Sequence, residues 1–127
     1  MEQKSIERFL KAQNATYYGY KQALAEIENG RKVSHWIWFV FPQMKGLGHS
    51  EISEFYGING REEAKAYIEN PILRERLIEA TKAILDNNKT VYEIFGQDTI
   101  KVRACILLFA SVSDNRIFKR VLNKYQW

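Results

Sequence analysis

The ten residues Ser34-His-Trp-Ile-Trp-Phe-Val-Phe-Pro-Gln43 restrict the fold more than any other stretch. Four of the six residues from Trp36 to Phe41 are aromatic, and side chains of that size bury their surface against other elements. A short apolar run suits either a buried strand or a buried helix, and periodicity does not separate the two. The surrounding chain does. No second segment reads as a convincing strand, and an isolated strand would leave its backbone groups unpaired. A short buried helix ended by Pro42 is therefore expected, with Ser34 available as its N-cap.

The remaining segments carry helix signals. Ile6 to Gln13 is amphipathic, with Ser5 as N-cap. Tyr17 to Asn29 follows, with Gly30 at the C′ position. Lys45-Gly-Leu-Gly-His-Ser50 is a glycine turn that leads into a helix from Ser50 to Tyr56. Asn59 starts Arg61 to Glu69, with Glu62 placed to close a capping box. Asn70-Pro71 is a cap followed by proline at N1. Leu73, Leu77, Ala80 and Ile84 then form one apolar stripe up to about Asp86. Thr90 and Glu93 repeat the capping-box pattern before Gly96. Asp98 caps an apolar helix that runs to Val112, and Asp114 opens the last helix, with Ile117, Val121 and Leu122 inward. About seven uneven helices in 127 residues predict an all-α, compact multihelical single domain spanning 1–127.

Composition narrows the function classes. No apolar run approaches the ~20 residues that span a bilayer, and no signal-peptide core follows Met1-Glu2-Gln3-Lys4. The single cysteine, Cys105, forms no internal disulfide. These features predict a cytoplasmic protein with no membrane partner. The formal charge of +4 is compatible with an anionic ligand without requiring one. It is also local: Arg116, Lys119, Arg120 and Lys124 face only Asp114 in the last fourteen residues.

Chemistry-bearing residues concentrate between Ser34 and Ser50. A ligand pocket needs an apolar wall and a few convergent polar groups. Trp36 and Trp38 supply the first, and His35, Gln43 and Lys45 the second. Equally, the aromatics fill a core and the polar groups satisfy nearby backbone. Gly46-Leu-Gly48 before Ser50 lets backbone N–H groups approach an anion; it also reads as an ordinary loop. His35 and His49 have no carboxylate at metal-ligand spacing, so no metal site is expected. His35 is either an acid or base in a pocket or a buried histidine bonded to a carbonyl. Cys105, inside an apolar helix, fits a buried thiol better than a nucleophile. Lys101 either pairs with Asp98 or reaches the aromatic segment, and Arg103 points elsewhere on that helix.

The run Ser34 to Gln43, with Gly46-Leu-Gly48 and Ser50, resembles a small family of bacterial and fungal proteins catalogued as domain of unknown function 1810. Arg8-Phe9, Ala12-Gln13, Tyr56-Gly57-Ile58, Glu63-Ala64, Ala66-Tyr67 and Asn70-Pro71 match it too. So do Leu73, Arg76-Leu77, Ile94-Phe95-Gly96, Asp98, Lys101, Arg103 and Leu108-Phe109. The resemblance covers nearly the whole chain. It implies an all-helical single domain and brings no established activity. Some members carry the label calpastatin, but calpastatins are disordered repeat proteins, unlike this chain. Family members usually continue beyond the Lys124-Tyr125 position with a short leucine-bearing tail. Here Trp127 stands last, and it either replaces that cover or leaves the last helix open.

Three functional readings follow. In the first, a small pocket binds an anionic, nucleotide-like molecule. Trp36 and Trp38 form its wall, Ser34, His35 and Gln43 its hydrogen bonds, and Lys45, Gly46, Gly48, Ser50 and Lys101 its anion site. His35 is the acid or base if a reaction occurs, and no cofactor is expected. In the second, the same aromatic segment is a non-enzymatic interaction surface, as in a homodimer. The third and weakest is nucleic-acid binding through the basic last helix, which lacks any recognised module.

Overall fold

The longest helix begins at the Asn70-Pro71 signal. In the computed structural model, which describes residues 5–125 and 127, α6 spans Pro71–Leu85. The Asn70 side chain accepts from the N–H groups of Ile72 and Leu73, both at 3.0 Å. Its stripe of Leu73, Leu77, Ala80 and Ile84 is buried as the spacing predicts. Met1–Lys4, read above as leading into no signal segment, lie outside the described residues, as does Gln126.

Eight further helices surround this one among the described residues: α1 Glu7–Gln13, α2 Tyr20–Glu28, α3 Ile37–Val40, α4 Glu51–Tyr56, α5 Gly60–Glu69, α7 Val91–Phe95, α8 Thr99–Val112 and α9 Ile117–Lys124. Seven of the nine have six residues or more, and the two short ones are α3 and α7. The described residues form no strand. The all-α class is therefore the observed one, with a single parallel bridge between Met44 and Ile58. α6 packs against α2, α5 and α9, α8 against α5 and α9, and α1 against α3.

The aromatic excess is mostly core. Phe9 meets Tyr67 edge-on at 5.1 Å, and Tyr67 meets Phe109 at the same centroid distance. Trp36 and Phe41 both pack on Phe95. The segment from Ile37 onward takes up both alternatives left open by its pattern: a four-residue helix, then an extended stretch after Val40. There the Gln43 carbonyl accepts from Ile58 N–H, and Lys45 N–H donates to the Ile58 carbonyl. A short helix with a bridge beside it satisfies backbone that a lone strand would orphan.

Several caps differ from expectation. The second helix starts at Tyr20 rather than Tyr17, because Tyr18 has φ of 60° and breaks the helical path. Ser34 does not cap α3, since Glu26 takes its hydroxyl. Glu63, not Glu62, reaches back to the Asn59 N–H, at 2.8 Å. The Asp98 carboxylate forms ion pairs instead of capping α8. Asn115 rather than Asp114 opens α9, accepting from Ile117 N–H at 2.9 Å. The Thr90–Glu93 capping box is present in full. Trp127 is half-buried against the core and meets the Tyr125 ring edge-on.

Candidate functional site

The Ser34–Ser50 segment is organised from beneath by Glu26, a residue without any local sequence signal. α2 carries its carboxylate under the turn. It accepts from Val33 N–H at 2.7 Å, Ser34 N–H at 2.9 Å, the Ser34 hydroxyl at 2.6 Å and the Trp36 indole N–H at 2.9 Å. The Gln22 amide adds a further bond at 2.7 Å. Burial pushes the Glu26 pKa up, but the hydrogen bonds from Ser34, Gln22 and Val33 outweigh it and lower the pKa from 4.5 to about 2.

Beside this turn, Lys32 donates to the Ser34 carbonyl at 2.7 Å and pairs with Asp98 at 2.9 Å. Lys101 pairs with the other Asp98 oxygen at 2.8 Å. Burial raises the Asp98 pKa, and the two ammonium groups more than reverse that, so the carboxylate stays ionised.

The predicted site residues divide. Trp36 is wholly buried and Ser34 is engaged by Glu26. His35 is exposed, which removes the reading of a buried, carbonyl-bonded histidine. Gln43 is buried beside the bridge to Ile58. Lys45 is half-exposed, 3.9 Å from Glu54. Gly46 is exposed in the turn, and Ser50 caps α4 by accepting from Ser53 N–H at 3.2 Å. Trp38, Gly48 and Lys101 do come together. The Lys101 ammonium lies 5.3 Å from the Trp38 ring centroid. A Cβ on Gly48 would stand 2.7 Å from Ser53 Cβ and 3.4 Å from Trp38 Cη2, so only glycine packs there without displacement. Cys105 is fully buried, and burial pushes its thiol pKa well up, which leaves no thiolate for nucleophilic work. Among the described residues no three metal-ligating side chains cluster, and no helix is long and apolar enough to cross a membrane.

Three clefts lie elsewhere, and none is lined by the ten predicted residues. One, of about 580 Å³, opens between the end of α8, residues 113–116 and α9. Arg116, Lys119 and Arg120 line it, and Arg61 joins them from α5, donating to the Ser111 carbonyl at 3.2 Å. Asp114 is the one carboxylate in its lining, and none of the four cations forms an ion pair among the described residues. Lys124, expected on the same basic face, turns away and donates to the carbonyls of Leu85 and Asn87 at the end of α6, where a cation complements the helix dipole. Nothing in the sequence pattern points to Arg61, which lies more than fifty positions before this helix. A second cleft, of about 860 Å³, lies between residues 13–16, α2 and α6. The third, of about 420 Å³, is a shallow polar groove at Gly30 and Lys89.

Among solved structures, the chain is similar to the conserved hypothetical protein Rv1873 from Mycobacterium tuberculosis. The identity is 40 %, the TM-score 0.89, and the match covers 94 % of this chain and 86 % of that one. No protein of curated function shows a significant match. The model of the family described as protein of unknown function (DUF1810) matches residues 3–126. The aromatic run over Glu26, the helical core around α6 and nearly the whole length of the chain therefore belong to a member of the DUF1810 family.

Proposed function

We propose that this protein binds a phosphate-bearing small molecule in the cleft between α5, α8 and α9. The observation that carries this reading is the convergence of Arg61, Arg116, Lys119 and Arg120 around one concave surface with Asp114 as its sole acid. Unpaired guanidinium groups present forked donors that fit phosphate oxygens two at a time. A volume of about 580 Å³ suits a mononucleotide-sized ligand. Asn115 and Asn123 line the same cleft and supply neutral polar contacts. His35 lies outside it, so binding rather than catalysis is assigned.

Titration calorimetry with inorganic pyrophosphate and adenosine triphosphate tests the reading, using the wild type and an Arg116→Gln/Arg120→Gln double variant. Binding weakened by about tenfold or more in the variant, a loss of about 1.4 kcal/mol, supports it. No binding at millimolar ligand, or an unchanged affinity in the variant, refutes it. A much tighter, steeply salt-dependent interaction with an oligonucleotide would reassign the cleft to nucleic acid.

A second reading is favoured by Trp38 and Lys101. A planar ligand would stack on the outer face of the half-buried indole, with its anionic group at the ammonium 5.3 Å from the ring centroid. Binding lost in Lys101→Gln but kept in the double arginine variant would select it.

A further inference from the structure

The cavity between residues 13–16, α2 and α6 is the largest of the three clefts and has a different chemistry. Its lining carries two cations, Lys21 and Arg76, and two carboxylates, Glu75 and Glu79. A polyanion gains nothing from such a balance. A ligand with one charge of each sign does.

Arg76 is held in place from the core. Its guanidinium donates to Asn14 Oδ1 at 2.8 Å and to Gln13 Oε1 at 3.4 Å. Gln13 is itself buried, and its amide donates to the Phe39 carbonyl at 2.6 Å and the Tyr67 hydroxyl at 3.1 Å. Tyr67 is fully buried. The cation is thus oriented by neutral amides and forms no ion pair among the described residues. The guanidinium also lies 5.5 Å from the Tyr20 ring centroid, so it is fixed in position while no carboxylate among the described residues pairs with it.

The carboxylate of Glu79, one turn further along α6 and on the same wall, is fixed as well. The Tyr20 phenol donates to Glu79 Oε1 at 2.5 Å. Burial and the Glu79 charge push the Tyr20 pKa far up, so the phenol stays protonated and keeps this bond. Leu24 and Ile72 supply apolar wall. The connection closing the cavity is tightly wound: Tyr18 has φ of 60°, and a Cβ on Gly19 would stand 2.4 Å from the Ala15 carbonyl oxygen. The left-handed backbone at Tyr18 persists because its surroundings over-determine it, and the close approach at Gly19 admits no side chain.

We infer that this cavity is a second binding site, independent of the basic cleft, for a zwitterionic small molecule of the amino-acid class. The ligand carboxylate meets Arg76, its ammonium meets Glu79, and an aliphatic side chain rests on Leu24 and Ile72.

Two-dimensional NMR titration of the full chain with leucine, valine and glutamate, separately at millimolar concentration, tests the site. The expected result is that the backbone amides of Asn14, Gly19 and Arg76 shift on adding leucine or valine, while pyrophosphate neither causes nor blocks the shifts. Arg76→Gln should weaken binding about tenfold. Because that variant also disturbs the Gln13 network, Leu24→Trp serves as a second one. It fills the cavity without touching a hydrogen bond and should abolish the shifts with the fold intact by circular dichroism. The inference fails if no amino acid shifts these amides, if isocaproate or isoamylamine binds as well as leucine, or if Leu24→Trp leaves binding unchanged.

Discussion

Glu26→Gln offers the sharpest test of how this structure is held together. The carboxylate pKa falls from 4.5 to about 2 on folding, a difference worth about 3 kcal/mol at neutral pH. Hydrogen-bond accounting reaches a similar size. Oε1 accepts from the Val33 and Ser34 N–H groups and the Trp36 indole, and Oε2 from the Ser34 hydroxyl and the Gln22 amide. Glutamine keeps one acceptor oxygen, so its amide faces the donors of the other, and the bonds that remain lose their charge. A hydrogen bond to a charged group is worth about 1.5–3 kcal/mol against about 1 kcal/mol for a neutral one. A loss of about 2–3 kcal/mol is expected.

The pH dependence separates this cause from simple packing damage. The folded-state pKa lies below the unfolded one, so the native state binds fewer protons between them. The stabilisation is complete above about pH 4.5 and drains away as pH falls toward 2. Urea unfolding followed by tryptophan fluorescence at pH 7, 5 and 3 should show the gap between wild type and variant narrowing at the acid end. A gap of the same size at every pH, or no gap at pH 7, would refute the assignment.

Two further substitutions have opposite expected outcomes. Arg8→Ala removes a guanidinium that pairs with both Glu63 oxygens and donates to the carbonyls of Ser5, Phe55 and Gly57. It leaves Glu63 in a site where its side chain is 11 % exposed. A loss of about 3–5 kcal/mol is expected, read as a lowered urea midpoint, and a loss below about 1 kcal/mol would contradict it. His35→Ala removes an exposed side chain and should change stability by less than about 0.5 kcal/mol in the same measurement. A larger loss would mean that His35 makes contacts in solution that its position here does not provide.

What was legible in the sequence depended on locality. Asn70-Pro71 and Thr90-x-x-Glu93 are complete within four residues, and both act where the pattern places them. The stripe on α6 needs only its own period. Ser34, Asp98 and Asp114 have equally good local credentials as caps, yet each loses that role. In the first two cases a distant partner competes: Glu26 takes the Ser34 hydroxyl, and Lys32 and Lys101 take the Asp98 carboxylate. For Asp114 the chain simply turns one residue later, at Asn115. The aromatic run was legible as buried mass but not as individual roles, since the choice between Trp36 inside and Trp38 half-outside rests on one helical turn.

The same logic explains why the clefts were hidden. The basic cleft needs Arg61 beside Arg116 and Arg120, residues brought together only because α5 and α9 both pack on α8. The second cavity needs Gln13 to orient Arg76 across sixty-three positions. Within its own segment, each such residue reads as an ordinary exposed polar side chain. Lys124 shows the converse. It shares the helix and the charge of Lys119 and Arg120, but its ammonium reaches the carbonyls that end α6 and so serves the fold. A charge count along one helix therefore overstates a binding face, while the cations left without a carboxylate after folding define it.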